Sequence, residues 1–294
     1  MPDSPAQTDA IELRPLPYHD ALRAYLQREE ADVWRWYAAH RVRPEQADAV
    51  RFELLKATYR LDRESQPEVH AAAESAARRL GLDLPITLYQ AHNPVGLNAS
   101  LAFVPDEAHI VLHGPVAARL TEAELRALLA HELGHLVLWR CADGDHLVVD
   151  QILAALTNDP AAEPPHFASA RLLRLYSEVF CDRAALRAVD DPLVVVAMLL
   201  KVHTELEAVS AESYLQQAAE VFGRGGIRAE ELTHPEVCIR ARAVKLFADG
   251  DPAAEAEIRR MIEGDPALDR LDLLGQQRVA GLTRRLMDAI FAPA

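Results

Sequence analysis

The segment TEAELRALLAHELGHLVLWR, residues 121–140, constrains the fold more than any other part of the chain. Thr121 and Glu124 have the spacing of a capping box, which predicts that a helix begins there. The stretches RALLA and LVL on either side of the polar centre are apolar, so we expect the helix to be buried. Burying ionisable groups is costly unless they have partners, so this helix requires a polar or metal-binding centre in the core. The ionisable residues at its centre are His131, Glu132 and His135.

The spacing of these three residues favours a metal site. Side chains four residues apart on a helix lie about 40° apart, so His131 and His135 can both bind one metal ion. Zinc is the natural occupant of such a site. Glu132 points about 100° away from His131, where it can reach an activated water without being a ligand, as a general base must. The alternative is that an HExxH pattern arose by chance among 12 histidines, but the apolar flanks argue against it.

A catalytic zinc needs a third protein ligand. The segment SEVFCDRAALRAV places two acidic residues, Glu178 and Asp182, four apart on one helix face. We expect Glu178 to bind the metal and Asp182 to accept the second ring N–H of a ligand histidine, which would fix its tautomer. The alternative is a solvated acidic pair beside nearby arginines. The acidic candidates on predicted helices are Asp150, Glu178, Asp182 and Glu207.

The rest of the pattern predicts a mostly helical α+β fold with a small β-sheet beside the HExxH helix. Short runs rich in β-branched or aromatic residues, separated by turn formers, predict strands at 86–90, 99–104 and 109–113. A loop is predicted at CADGDH, residues 141–146. Further helices are predicted from about Ala21 to Ala39, from Pro44 to Arg60, from Pro67 to Leu80, over 147–157, 168–189, 192–207 and 211–222, from Pro235 onwards, and twice within 252–290.

Three blocks in order, LTEAELRALLAHELGHLVL, SEVFCDRAAL and LTHPEVCIRARAV, resemble the landmark segments of the M48 zinc metallopeptidases, a family of the gluzincin group. The resemblance implies a zinc-dependent endopeptidase with one Zn²⁺ per chain and a polypeptide substrate. It also implies that His131, His135 and Glu178 bind zinc and that Glu132 is the general base. Asp182 matches the aspartate of the family's ExxxD pattern.

The same resemblance suggests how substrate is held. The segment GLNASLAF is similar to the family's edge strand, which makes Asn98 and Ala99 candidates for pairing with a peptide backbone. His234 matches the family histidine near the metal, an oxyanion stabiliser or an occasional extra ligand. Arg240 matches the arginine six positions later and is expected at the substrate. Simple turn roles remain the alternatives for Asn98 and His234.

Two departures from the family pattern stand out. The family is best known for integral membrane enzymes, whereas the most apolar run here, PLVVVAMLL at 192–200, is far short of the roughly 20 residues that a spanning helix needs. We therefore expect no membrane insertion. The residue before the ExxxD aspartate is usually alanine, and here it is Cys181, which we interpret as a buried small hydrophobe.

Charge and domain organisation complete the expectations. The net charge of −14 argues against nucleic acid or an anionic membrane as a standing partner, although local basic patches could exist. The three cysteines are odd in number and widely spaced, and the first segment has no secretory features. Both observations favour a cytoplasmic protein. We expect a flexible lead-in over 1–18, a catalytic domain over 19–249 and a C-terminal helical extension over 250–294 packed on it. The oligomeric state stays open.

Two other functions remain possible from the sequence. One is a regulatory metallopeptidase of the ImmA/IrrE type acting on a repressor, although that type lacks the THP block and usually carries a DNA-binding or sensor module. The other is a non-catalytic scaffold that keeps zinc for stability. A purely structural site has no need for Glu132 or for an open ligand position, which weakens this alternative.

Overall fold

The computed structural model describes residues 13–41, 44–92 and 96–291. It confirms the mostly helical α+β fold. In chain order the elements are α1 (Pro17–Glu29), α2 (Ala31–Ala39), α3 (Pro44–Ala57), β1 (Thr58–Arg60), α4 (Pro67–Leu80), β2 (Ile86–Ala91), β3 (Asn98–Val104), β4 (Glu107–His113), α5 (Val116–Arg119), α6 (Glu122–Asn158), α7 (Pro164–Val189), α8 (Pro192–Thr204), α9 (Ala211–Gly223), α10 (Val237–Ala248), α11 (Ala254–Glu263) and α12 (Leu273–Phe291), with a 3₁₀ turn at Leu268–Arg270.

The sheet has four strands in the order β1-β2-β4-β3. β2 and β4 are parallel, whereas β1 and β3 run antiparallel to their neighbours. Asn98 pairs with His113 and Ala99 with Leu112, so β3 is an edge strand that is paired on one side only among the described residues. Its free edge is therefore available for a further strand.

Helices α6 and α7 pack against each other and contribute to both large hydrophobic clusters of the core. One cluster lies between the sheet, α4, α8 and the first half of α6, and includes Leu88, Ile110 and Leu133. The other joins α1 and α11 to α7 and the second half of α6, and includes Leu22 and Phe180. The polar residues of the HExxH segment therefore lie at the junction of two apolar cores.

Two of the predicted helix boundaries are wrong. The helix expected over 21–39 is two helices that meet at Glu30, whose φ of −118° and ψ of 42° interrupt the helix. The helix expected over 44–60 ends at Ala57, and Thr58–Arg60 instead pairs antiparallel with β2. Here the open edge of β2 outweighs local helical preference, because tertiary context readily overrides propensity.

The loop predicted at CADGDH is confirmed as a break within α6. Residues 141–144 have non-helical dihedral angles, and Ala142, Asp143 and Gly144 all have positive φ. The break separates the half of α6 that carries the HExxH segment from the half that packs against α1 and α2.

The two ends of the chain differ in how they pack. Residues 1–12 of the predicted lead-in lie outside the described part, and Leu16 and Tyr18 after them are buried. Helix α11 buries Ile258 and Met261, whereas most of α12 is exposed. No helix in the described ranges has both the length and the apolar composition that a bilayer span requires.

Candidate metal centre

The start of α6 is fixed by its cap. The backbone N–H of Glu124 donates to Thr121 Oγ1 at 3.3 Å, and Glu124 Oε2 accepts from the Thr121 N–H at 2.8 Å. The same carboxylate oxygen accepts from Lys201 Nζ on α8, also at 2.8 Å. This buried network sets the rotation of α6, and with it the direction in which His131 and His135 project three turns later.

Gly134 lets α7 approach α6 closely. A Cβ at this position would lie 3.0 Å from the Cα of Cys181, 3.0 Å from the Cβ of Ala184 and 3.2 Å from Cys181 Sγ. Only glycine fits without displacing one of the helices. The close crossing brings the acidic pair of α7 beside the two histidines of α6.

Three of the predicted ligands meet at this crossing. Glu178 Oε2 lies 3.4 Å from His131 Nε2, and Glu178 Oε1 lies 3.7 Å from His135 Nε2. Two ligand atoms on a tetrahedral zinc with bonds of 2.0–2.1 Å would lie roughly 3.4 Å apart. Glu178 Oε2 is also buried without a hydrogen-bond partner among the described residues. The donor set and its orphaned carboxylate oxygen therefore fit a zinc ion.

Asp182 orients the first histidine. His131 Nδ1 donates to Asp182 Oδ1 at 3.0 Å, which leaves the Nε2 lone pair facing Glu178. Asp182 is fully buried and accepts two further hydrogen bonds from Arg240, at 2.6 and 2.7 Å. Burial acts to raise the pKa of Asp182, but Arg240 and His131 outweigh it and lower that pKa. The carboxylate is therefore ionised, as an acceptor for the ring N–H must be.

The histidines differ in their electrostatic surroundings. Burial acts to lower the pKa of His131, but Asp182 and Glu178 raise it to about 10. These carboxylates thus stabilise positive charge at the imidazole, and a divalent cation would replace the proton there. Burial lowers the pKa of His135 to about 4, so its ring is neutral and able to bind a metal.

Glu132 lies beside the ligands and not among them. It is 6% exposed, and burial raises the pKa of its carboxyl to about 7, with the negative charge of Glu178 adding to the shift and His131 opposing it. A general base works best when its pKa is close to the working pH. The position and the pKa of Glu132 both suit proton transfer.

A cleft of about 900 Å³ opens onto these residues. Asn98, Ala99 and Leu101 of the edge strand β3 form one wall, so the strand predicted to pair with substrate lies where a peptide could reach it. His234 also lines the cleft, with its side chain 54% exposed and its Nε2 3.7 Å from Glu178 Oε2.

Arg240 also lines this cleft, but most of its contacts are internal. Besides the two hydrogen bonds to Asp182, its Nη1 lies 3.4 Å from Glu178 Oε2. Its side chain is 12% exposed. This arginine therefore contacts both carboxylates of the acidic pair, and the substrate-binding role expected for it stays a prediction.

Some residues of the site were missed by the sequence analysis. Trp139 lines the cleft and its ring lies 6.0 Å from that of His135. Its position four residues after His135, on the same helix face, was a usable signal. Met198 and Tyr214 complete the wall from α8 and α9, and no pattern in the sequence pointed to them.

Cys181 is closer to the centre than a purely packing role requires. It is fully buried, and its Sγ lies within 4.8 Å of a ring nitrogen of both His131 and His135. Burial, followed by the negative charge of Glu178, raises the pKa of its thiol well above the usual value. The two oxygens of Glu178 lie 3.4 and 3.7 Å from the Nε2 atoms of His131 and His135, so we retain the carboxylate as the candidate third ligand, with the thiol of Cys181 as the alternative. Glu207, another acidic candidate, instead pairs with Arg119 at the surface.

Two comparisons with known proteins match parts of this chain. The family model for Peptidase family M48 matches residues 63–158, which include the sheet strands β2–β4 and the HExxH segment. The plastoglobule-localized metallopeptidase 48, chloroplastic, of Arabidopsis thaliana is 31% identical over 195 residues. That alignment covers 60% of this chain and 56% of the relative, so the chain spans little more than half of the relative's length. No solved structure matches.

The residues matched by the family model include His131, Glu132 and His135. The relative extends the similarity well beyond that segment and is itself a metallopeptidase by name. Over these residues the chain is similar to peptidase family M48.

Proposed function

We propose that the protein is a zinc-dependent endopeptidase, with Zn²⁺ held by His131, His135 and Glu178. The observation that carries the proposal is the buried Oε2 of Glu178, which has no hydrogen-bond partner among the described residues although His131 Nε2 and Arg240 Nη1 each lie 3.4 Å away. An ionised carboxylate oxygen is rarely left without a partner in a protein interior, and a cation at this point would supply one. The metallopeptidase relative supports the reaction class.

Zinc, when bound, supplies a Lewis acid for the scissile carbonyl and makes a water molecule more acidic. Glu132 takes the proton from the attacking water and passes it to the leaving amine. His234, whose partly exposed side chain lines the cleft, donates a hydrogen bond to the oxygen on which negative charge develops. Asp182 and Arg240 hold His131 in the orientation that this arrangement requires.

The edge strand β3 gives the proposal its substrate class. An extended polypeptide can add to the free edge of β3, where backbone hydrogen bonds hold it irrespective of its sequence. A cleft that is open along this strand suits cleavage within a chain, which is why we propose an endopeptidase. The cytoplasmic location expected from the sequence stays a prediction.

Metal content and hydrolysis together test the proposal. Elemental analysis of the purified protein should find about one zinc ion per chain. Glu178→Ala should lose most of it, and full zinc retention would remove Glu178 from the site. In that case the double variant Glu178→Ala/Cys181→Ala would reveal whether Cys181 had replaced the carboxylate.

Denatured casein is the substrate for the second part of the test. Hydrolysis should stop after chelation and return with added zinc. Mass spectrometry should find fragments with internal ends, also from a peptide whose two termini are blocked. Zinc-loaded protein that cleaves neither substrate would contradict the proposed function and favour the scaffold alternative.

A further inference from the structure

Helix α12 carries an apolar face that no other described part of the protein covers. We use the term apolar face of α12 for six residues that are between 36% and 71% exposed. They are Val279, Leu282, Leu286, Met287, Ile290 and Phe291. Contiguous exposed apolar surface of this kind marks a binding site more often than scattered single residues do.

The first turn of α12 is firmly attached, so the direction of the helix is set by the fold. Leu273 and Leu274 are buried, and the Leu273 N–H donates to Ser169 Oγ at 2.9 Å. Asp272 accepts from the Gly275 N–H at 2.7 Å and from the Tyr18 hydroxyl at 2.8 Å. Beyond this anchor, nearly every residue from 278 to 291 is exposed.

The apolar residues share one side of the helix. At 100° per residue, Val279, Leu282, Leu286 and Ile290 fall within about 80°, and Met287 and Phe291 widen the apolar arc to about 180°. The opposite side carries Arg278, Arg284, Arg285 and Asp288. This wide apolar arc with arginines on the polar side is typical of helices that lie in a membrane interface.

The charge of α12 is opposite to that of the protein. The helix contains three arginines and one aspartate, whereas the whole chain has a net charge of −14. The exposed part, residues 277–291, is about 22 Å long at 1.5 Å per residue. Since the Debye length at physiological ionic strength is about 8 Å, repulsion between the acidic body and an anionic surface is largely screened at the far end.

We propose that the apolar face of α12 docks on an anionic lipid bilayer, with the helix lying in the interface and not crossing the membrane. The apolar residues enter the boundary of the hydrocarbon region, and the arginines contact the phosphate groups. A second copy of the chain suits this helix less well. Its apolar arc is broader than the narrow seam of a paired helix.

Flotation of the full chain with lipid vesicles tests this inference. The protein should float with vesicles of phosphatidylcholine and phosphatidylglycerol and bind much less to phosphatidylcholine alone. Leu282→Asp/Leu286→Asp should lower binding by about tenfold or more. Leu55→Asp is the matched control, because Leu55 on α3 is 57% exposed and Leu282 is 58% exposed. It should bind as the wild type does.

Charge reversal tests the second half of the inference. Arg284→Glu/Arg285→Glu should abolish the preference for phosphatidylglycerol, and high salt should reduce that preference in the wild type. Circular dichroism should confirm that each variant is folded, as expected for exposed positions. Wild-type protein that floats with neither vesicle, or a Leu282→Asp/Leu286→Asp variant that binds normally, would overturn the proposal.

Light scattering tests whether a second copy of the chain, and not a lipid bilayer, covers the apolar face of α12. A wild-type dimer that becomes monomeric in Leu282→Asp/Leu286→Asp, without vesicle binding in either protein, would assign the apolar face to a second copy. Equal binding to both kinds of vesicle would overturn the requirement for anionic lipid.

Discussion

Asp182 Oδ1 accepts a hydrogen bond from His131 at 3.0 Å, and Arg240 donates two more to this carboxylate, to Oδ1 at 2.6 Å and to Oδ2 at 2.7 Å. An ionised carboxylate at this point fixes the imidazole tautomer and increases the basicity of the nitrogen that faces Glu178. Loss of such a partner typically costs about 10–100-fold in metal affinity.

Asp182→Asn should therefore lower zinc affinity by about 10–100-fold, because an amide carries no charge and presents an NH₂ group that cannot accept from Arg240. Competition with a chromophoric chelator measures the change. Asp190→Asn, at the exposed end of the same helix where φ is 56°, is the control and should bind zinc normally. Equal affinities in the two variants would exclude an orienting role for Asp182.

The crossing of α6 and α7 gives a second prediction. Gly134→Ala places a Cβ 3.0 Å from backbone and side-chain atoms of α7, so α7 must shift by a few tenths of an ångström to accommodate the methyl group. We expect a loss of about 1–3 kcal/mol in the free energy of unfolding, together with weaker zinc binding, because Glu178 moves with α7. Gly223→Ala is the control, since nothing lies within 4 Å of that position. Denaturant unfolding that is unchanged by Gly134→Ala would show that the crossing tolerates a methyl group.

The sequence predicts those parts of the metal centre whose determinants lie within one short segment. The capping box and the apolar flanks of α6 are contained within about 20 residues, and the structure has the helix where they predict it. The distance from Glu178 to His131 depends instead on the crossing at Gly134, which a sequence pattern does not specify. Arg240 illustrates the same limit, because its contact with Asp182 joins positions 58 residues apart.

Strand β1 and helices α11 and α12 illustrate a second limit of prediction from sequence. Thr58–Arg60 continues a helical pattern, and only the open edge of β2 explains why it forms a strand. Helices α11 and α12 are both amphipathic, yet α11 buries Ile258 and Met261 while α12 exposes Leu282 and Leu286. Periodicity identifies an apolar face but not the surface that covers it.

His234 gives a prediction with a definite sign. As a donor to the developing oxyanion, its replacement in His234→Ala should lower kcat by about 10²–10³-fold with little change in zinc affinity. A histidine that instead occupied the open ligand position would, when removed, raise activity and loosen the metal. Measuring kcat and zinc affinity on this variant decides between them, and no change in either quantity would exclude both roles.

The buried His19 predicts how stability depends on pH. Burial lowers its pKa from 6.5 to about 3, with a smaller effect of His146, whose ring lies 6.0 Å away. Its Nδ1 accepts from the Leu16 N–H at 3.0 Å, which requires a neutral ring. The imidazole of His19 binds a proton more readily in the unfolded chain than in the folded protein. The contribution of His19 to the free energy of unfolding is therefore fully present above pH 6.5 and is lost as the pH falls towards 3.

The expected loss is about 2 kcal/mol by roughly pH 5. His19→Asn keeps an acceptor for the Leu16 N–H and does not titrate, so it isolates this contribution from other acid effects. The advantage in stability of the wild type over His19→Asn should therefore shrink by that amount between roughly pH 7 and 5. The free energy of unfolding of each protein is measured with urea at each pH. If it changed with pH by the same amount in both proteins, His19 would not be the group responsible.

The central claim concerns Glu132 as a general base that is not a metal ligand. The most direct measurement is the rate of casein hydrolysis by Glu132→Gln and by the wild type, each with its zinc content determined on the same sample. The account predicts equal zinc content, an unchanged fold and a rate lower by at least about 10²–10⁴-fold in the variant. Equal rates at equal zinc content would contradict it.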